Sequence, residues 1–176
     1  MSKKSSSKSK CGMSHVEFVQ RRFHGALLDS SWQNNEQVTI TVRADSAPDI
    51  VQHLYYRRGG WLSVVVGNDE RPISGKYALY YVLSMEESDP CIVVVRSEVD
   101  PDPGTFPSVA ARVPACMWGE REVRDMFGLT PIGLPDPRRL VLPDDWPEGL
   151  YPLRKDSMDY RRRPATTTDL ENYELL

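Results

Sequence analysis

Acidic and basic side chains crowd one stretch of this chain, Trp118-Gly-Glu-Arg-Glu-Val-Arg-Asp-Met-Phe-Gly128, and that stretch could do two kinds of chemistry. Glu120, Glu122 and Asp125 could divide acid and base roles, as could Asp144 with Asp145 further on. Such catalysis needs one carboxyl raised by its pocket, whereas these helix acids alternate with Arg121 and Arg124, which keep carboxylates ionised. If the stretch is helical, Glu120–Arg124 and Arg121–Asp125 fall at i,i+4, the pattern of a salt-bridged solvent face worth ~0.3–0.5 kcal/mol per exposed pair. The same charges beside Trp118 could instead meet partner groups at a protein–protein interface, where Arg and Trp are typical anchors. The histidines, His15, His24 and His53, all fall on the N-terminal helices, and His53 beside Leu54 reads as a packed or surface histidine rather than a base. A self-contained enzyme is therefore the weaker expectation.

Other chemistries find little support. Cys11, Cys91 and Cys116 are odd in number and widely separated, with no C-x-x-C pair and no His at a ligand spacing, so neither zinc nor an iron–sulfur cluster is expected. Cys91 and Cys116 sit among apolar neighbours and read as buried, inert thiols. A formal net charge of -3 over 176 residues supplies no general field for nucleic acid or an anionic membrane. Ser2 to Lys10 is only Ser and Lys, so residues 1–12 are expected as a disordered tail, solubilising rather than nucleic-acid-binding because nothing aromatic interleaves the lysines. Trp61, Tyr77, Tyr80 and Tyr81 could stack RNA bases, but Tyr80 and Tyr81 face opposite sides of a strand, and core packing is the better account. No apolar run approaches the ~20 residues of a membrane helix, and the basic N-terminus lacks the apolar stretch of a secretory signal, which reads as cytosolic.

The elements that must position these residues follow from periodicity. With 40% hydrophobic and 27% charged residues the composition is globular, one domain plus tails. Met13 to Leu28 places Val16, Val19, Phe23, Ala26 and Leu27 on one helical face, with Ser14 as N-cap. Gln37 to Arg43 alternates as a strand with Val38, Ile40 and Val42 inward. Ser46-x-x-Asp49 approximates a capping box, and the helix it opens runs through Ile50, Val51, Leu54 and Tyr55 to Gly59-Gly60. Trp61 to Val66 is a continuous apolar run, expected as a central, covered strand. Tyr77 to Met85 and Cys91 to Val99 are two more, joined by Glu86 to Pro90. A last helix is expected from Ala115 to Phe127, ended by Gly128. The fold class is α+β: a small mixed β-sheet with helices packed on one side, over residues 13–128. Eleven of the fourteen prolines lie from Pro101 onward, so residues 129–176 read as an extended Pro-rich C-terminal strap, semi-rigid over Leu129 to Pro164. Its Leu134, Leu140, Val141, Leu142, Trp146, Tyr151 and Leu153 need a surface to lie on, intrachain or, the sharper reading, a partner's.

The run WGEREVRDMFGL, followed by Pro135 to Trp146 and by Tyr151-Pro-Leu-Arg-Lys-Asp156, closely resembles the signature of the 30-kDa subunit family of respiratory complex I. Three motifs in one order match almost position for position, and the resemblance covers about Ser14 to Pro164. Tyr151 stands where respiratory members usually have His. The run Ser157 to Pro164, with Leu54-Tyr-Tyr, Gly60-Trp-Leu-Ser-Val and Gly67 to Arg71, is similar instead to the N-terminal domain of the formate hydrogenlyase large subunit, a group 4 nickel–iron hydrogenase. The resemblance implies a non-catalytic docking subunit of a membrane-associated hydrogenase complex of that type, supporting electron transfer to protons. The alternative is the 30-kDa-type subunit of NADH:quinone oxidoreductase. It implies no cofactor in this chain, with the nickel–iron centre and iron–sulfur clusters in partner subunits. The partners would be the large 49-kDa-like subunit or domain, the iron–sulfur small subunit and the membrane arm, with no nucleic acid. The location would be cytoplasmic, peripheral on the inner face of the cell membrane. A chain ending at Leu176 without paired C-x-x-C motifs is expected to be either a free-standing subunit or the leading portion of something longer. On this reading Trp118, Glu120, Arg121 and Asp125 of the helix and Arg138, Arg139, Trp146, Tyr151, Arg154, Lys155 and Asp156 of the strap form the partner interface, the basic groups meeting carboxylates and the aromatics filling apolar recesses.

Overall fold

The computed structural model describes residues 11–87 and 89–156. The expected disordered tail up to Lys10, and the Arg-rich run and remaining strap from Ser157 onward, lie outside the described residues. The elements in chain order are α1 (Met13–Arg22), β1 (Leu27–Trp32), β2 (Gln37–Val42), α2 (Ala47–Arg57), β3 (Gly60–Asp69), the short α3 (Arg71–Ser74), β4 (Tyr77–Met85), β5 (Cys91–Val99), β6 (Thr105–Pro107), α4 (Met117–Phe127) and β7 (Thr130–Ile132).

The five longer strands form one mixed sheet in the order β1-β2-β5-β4-β3. β2 and β5 run parallel, and the other neighbours are antiparallel. Strict alternation decides which face is buried. Tyr77, Leu79, Tyr81, Leu83 and Met85 of β4 point inward beside Val93 and Val95 of β5 and Val38, Ile40 and Val42 of β2. The apolar stripes of α1 (Val16, Val19), α2 (Ile50, Val51, Leu54) and α4 (Val123, Phe127) join them in a single core. Each such side chain stabilises the fold by about 1.5–3 kcal/mol on burial. The opposite face carries Trp61, Val64, Val66 and Ile92, each 40% exposed or more. The helices therefore lie on one side of the sheet, as the patterning required.

Four local expectations are corrected. The first helix ends at Arg22, not Leu28, because Gly25 turns left-handed at φ 76. Leu27 to Trp32 then becomes β1, whose Asp-Ser-Ser segment is a poor helix former and pairs with β2. The Ser46–Asp49 box is not made: Ser46 Oγ bonds Asp45, a 3-10 turn over Ala44–Ser46 leads into α2, and Asp49 pairs with Arg112. The apolar run at Trp61 is a sheet edge rather than its centre. Its residues are apolar on both faces because Val65 packs under α4 while Val64 and Val66 face outward. Finally, the proline-rich third is not without regular structure: Phe106 and Pro131 are buried in a small parallel sheet of β6 and β7. The prolines in both strands hide that pairing from a propensity reading.

Close approach of α4 to β3 depends on two glycines. A Cβ on Gly119 would sit 2.6 Å from Val65 Cβ, and one on Gly67 would meet the Phe127 ring at 2.8 Å. Gly119→Ala is expected to lower stability by about 1–3 kcal/mol through overpacking. Urea unfolding followed by tryptophan fluorescence measures it, and an unchanged midpoint would mean that α4 does not rest on β3 through this contact.

Candidate docking surface

The charges of α4 do not form the i,i+4 pairs that their spacing suggests; each is drawn to a different part of the molecule. Glu120 goes inward and is 0% exposed. Its Oε1 accepts bonds from the Val109 N–H at 2.7 Å and the Tyr81 hydroxyl at 3.1 Å, and its Oε2 lies 2.5 Å from Ser108 Oγ. Burial pushes this carboxyl above its ordinary value, against the opposing effect of the bonds from Ser108, Val109, Tyr81 and Ala110. Glu120 thereby ties the turn at 108–110 to β4.

Arg121 and Asp125 turn the other way and fold the strap. Arg121 donates to the carbonyls of Arg138 and Arg139, both at 2.9 Å, and lies 3.3 Å from Asp136. Asp125, 5% exposed, accepts at one oxygen the successive N–H groups of Leu140, Val141 and Leu142 at 2.8, 2.8 and 3.3 Å. A run of backbone donors converging on one carboxylate is an anion nest, here filled from within the chain. Arg138 is itself bonded to Asp136, which holds that carboxyl well below the usual range.

Further along, the strap is clamped to the end of α4 and to β3. Leu153 N–H donates to Met126 O at 3.1 Å, and Arg154 Nε donates to Phe127 O at 2.7 Å. The Arg154 guanidinium stacks over Tyr151 at 4.2 Å and Tyr77 at 5.7 Å. Gly128, at φ 68, allows Tyr151 to lie where a Cβ would come within 2.3 Å of the ring. Asp69 accepts from Lys155 N–H at 2.8 Å and from Arg71 at 2.6 Å, and Arg71 also reaches Asp156 at 2.6 Å. The Arg71 guanidinium, helped by the Lys155 and Arg71 amides, holds Asp69 down to about 2 against its burial.

The anticipated interface residues thus divide. Glu120 belongs to the core, a correction with a simple cause: its neighbours Ser108, Val109 and Tyr81 supply donors that solvent would otherwise provide. Arg121, Asp125, Tyr151, Arg154 and Asp156 hold the strap to its own domain. Arg139 bonds Pro143 O, and Trp146 Nε1 donates to Leu150 O at 2.8 Å, so both shape the strap's own turns. Trp118, 68% exposed, and Arg138, whose side chain is 81% exposed, face solvent with Lys155. Leu140, Val141 and Leu153 are also exposed, and Leu153 joins Val64, Val66 and Glu122 around a cleft between β3 and α4. Sequence reasoning missed Asp69 and Arg71, which look like ordinary turn residues after a strand. It also missed Ser108, whose importance depends on an acid twelve residues away.

The other groups considered from the sequence are packed or buried. Burial raises Cys91 to about 12 and pushes Cys116 up as well. His53 packs against Phe18 and Phe23 with Nδ1 on Asp49 O. Tyr81 is buried while Tyr80 lies on the other face beside Glu70. Among the described residues no group of three or more His, Cys, Asp or Glu could hold a metal ion.

The domain is a mixed sheet with one helical layer and a proline-rich strap bonded back onto it. The same fold occurs in the structure of the membrane-bound sulfane sulfur reductase, an archaeal respiratory membrane complex, with TM-score 0.68 and 22% identity over 94% of this chain and 92% of that one. The sequence profile of the respiratory-chain NADH dehydrogenase 30-kDa subunit matches residues 40–162, and the chain belongs to that family. It is 58% identical over 170 residues to formate hydrogenlyase subunit 5 of Escherichia coli (strain K12), covering 97% of this chain and 30% of that protein. It is 57% identical over 170 residues to hydrogenase-4 component G of the same organism, covering 97% and 31%. The chain therefore spans about three tenths of the length of these relatives.

Two outcomes test the clamp. Asp125→Ala leaves the amides of Leu140 to Leu142 without their acceptor, at a cost of about 1–3 kcal/mol. Those amides are expected to lose protection in hydrogen exchange while β4 and β5 keep theirs; protection unchanged at 140–142 would refute the nest. The second outcome concerns pH. Asp69 is depressed in the folded chain, so its contribution is complete above the ordinary value of 3.8 and is lost as pH falls toward about 2. Glu120 is raised, so its contribution is complete below the ordinary value of 4.5 and declines as pH rises through its folded value. Urea titrations across pH are expected to show a flatter acid limb for Asp69→Asn and a flatter fall on the higher side for Glu120→Gln. Curves parallel to the wild type would contradict both.

Proposed function

We propose that the chain is a non-catalytic docking unit of a membrane-associated formate hydrogenlyase-type nickel–iron hydrogenase complex, supporting electron transfer to protons. The observation that carries this reading is identity of 58% and 57%, over 97% of the chain, to formate hydrogenlyase subunit 5 and hydrogenase-4 component G. The nickel–iron centre and the iron–sulfur clusters belong, on this reading, to a large 49-kDa-like subunit or domain and an iron–sulfur small subunit, with no cofactor in this chain. Among the described residues no helix is long and apolar enough to cross a membrane, so attachment would be peripheral, on the cytoplasmic side and through the membrane arm of the complex.

Physically, the domain contributes a preformed surface rather than a reaction. Internal bonds hold the strap through 156, so docking does not require this stretch to be ordered anew. Its outward groups are those an interface uses: Trp118, Leu140, Val141 and Leu153 as apolar contacts, and Arg138 as a guanidinium oriented by Asp136 toward a partner carboxylate. Lys in place of Arg138 would keep the charge but lose the fork that Asp136 orients.

Purification of a tagged chain from membranes of its own host tests the reading. The wild type is expected to carry along a nickel-containing large subunit. The double variant Trp118→Asp, Arg138→Glu is expected to retain about tenfold less or lower, with unchanged circular dichroism. Undiminished recovery with the variant would remove this surface from the interface. The family profile also favours a second reading, the 30-kDa-type subunit of NADH:quinone oxidoreductase. Flavin- and nicotinamide-binding subunits in place of nickel would establish that one.

A further inference from the structure

Glu120, Arg121 and Asp125 of α4 are bonded within the fold and Glu122 lies in solvent, but Arg124 stands apart. Its Nη1 is buried and has no hydrogen-bond partner among the described residues. Buried donors are nearly always matched, and a charged one carries the larger desolvation cost when it is not. Arg124 lies on the wall of a cavity of 290 Å³ between α4 and the strap, which Arg139, Leu142, Trp146, Glu148 and Tyr151 also line. The bonds that close the strap over this cavity, from Asp125 to residues 140–142 and from Arg154 to Phe127, make no use of Arg124. The cavity is thus built by other residues, and Arg124 of the helix forms part of its wall.

We propose that this cavity binds a single carboxylate on a short aliphatic stem, with Arg124 as its counter-ion. A planar guanidinium matches a carboxylate in two parallel bonds. Leu142, Trp146 and Tyr151 supply apolar wall for the methylenes of the stem. Arg139 adds a second positive charge, while Asp125 and Glu148 border the same space. The Asp125 charge is already met by the amides of 140–142, so Glu148 opposes the two guanidiniums, which suits one further negative charge and disfavours a dianion such as phosphate. A free small acid and the side chain of a glutamate from another polypeptide share this chemistry. The site does not depend on which complex the chain serves.

The test is a titration of the full, isotope-labelled chain at constant ionic strength, followed by nuclear magnetic resonance of the arginine Nε–H groups and of the Trp146 and Tyr151 amides. Sodium butyrate stands for a free acid, N-acetyl-glutamate α-amide for a polypeptide side chain, and sodium phosphate for a dianion. The expected result is a saturable shift at Arg124 with a carboxylate probe, weaker by about tenfold or more for phosphate. Whichever carboxylate binds more tightly identifies the source. In Arg124→Gln the shifts at Trp146 and Tyr151 are expected to vanish, and in Arg124→Lys to persist more weakly. No saturable shift with either carboxylate in the wild-type chain overturns the proposal without reliance on any variant folding. Equal shifts at Trp146 and Tyr151 in Arg124→Gln overturn it as well.

Discussion

A proline-rich strap cannot make its own ladder, because its prolines lack the N–H and its fixed φ angles prevent regular pairing. Its remaining backbone groups must find partners elsewhere, and in this protein several of the partners are charged side chains of α4 and of β3. Asp125 collects three consecutive amides, Arg121 serves two carbonyls, and Asp69 takes the Lys155 amide from the other end. These groups replace the water that the strap would otherwise need. Together with the bonds of Leu153 to Met126 O and of Arg154 to Phe127 O, they hold the strap between 138 and 155.

That arrangement places demands on the sheet domain. α4 must lie close to β3, which the small Gly67 and Gly119 allow, and it must not rotate, which Glu120 opposes by its bonds to Ser108, Val109 and Tyr81. The core and the strap are therefore fixed by the same helix, through acids on different sides of it. A surface built this way is preorganised, because its strap is already held by bonds within the chain.

Cys91 and Cys116 lie in the core with their thiols pushed up, and His53, half-buried, packs against Phe18 and Phe23. Arg124 alone among the helix charges has a buried nitrogen left without a match among the described residues, which is why the cavity beside it stands out from a surface otherwise concerned with holding the strap.

From the sequence by itself came the α+β class, the inward face of β2, the strands at Tyr77–Met85 and Cys91–Val99, the helix ending at Gly128 and the family. All of these rest on local period, turn chemistry or a dense motif, which survive without knowledge of contacts. Tertiary structure alone decided that Leu27 to Trp32 is a strand and that Trp61 to Val66 is an edge, because strand order depends on which ladder remains open, not on composition. It likewise decided where the motif charges go. Glu120, Arg121 and Asp125 sit within six residues and look alike on paper as one polar face. A 3.6-residue period points them in different directions, and only the packed positions of Ser108, of residues 138–142 and of β4 determine that one becomes core and two become the strap's anchors.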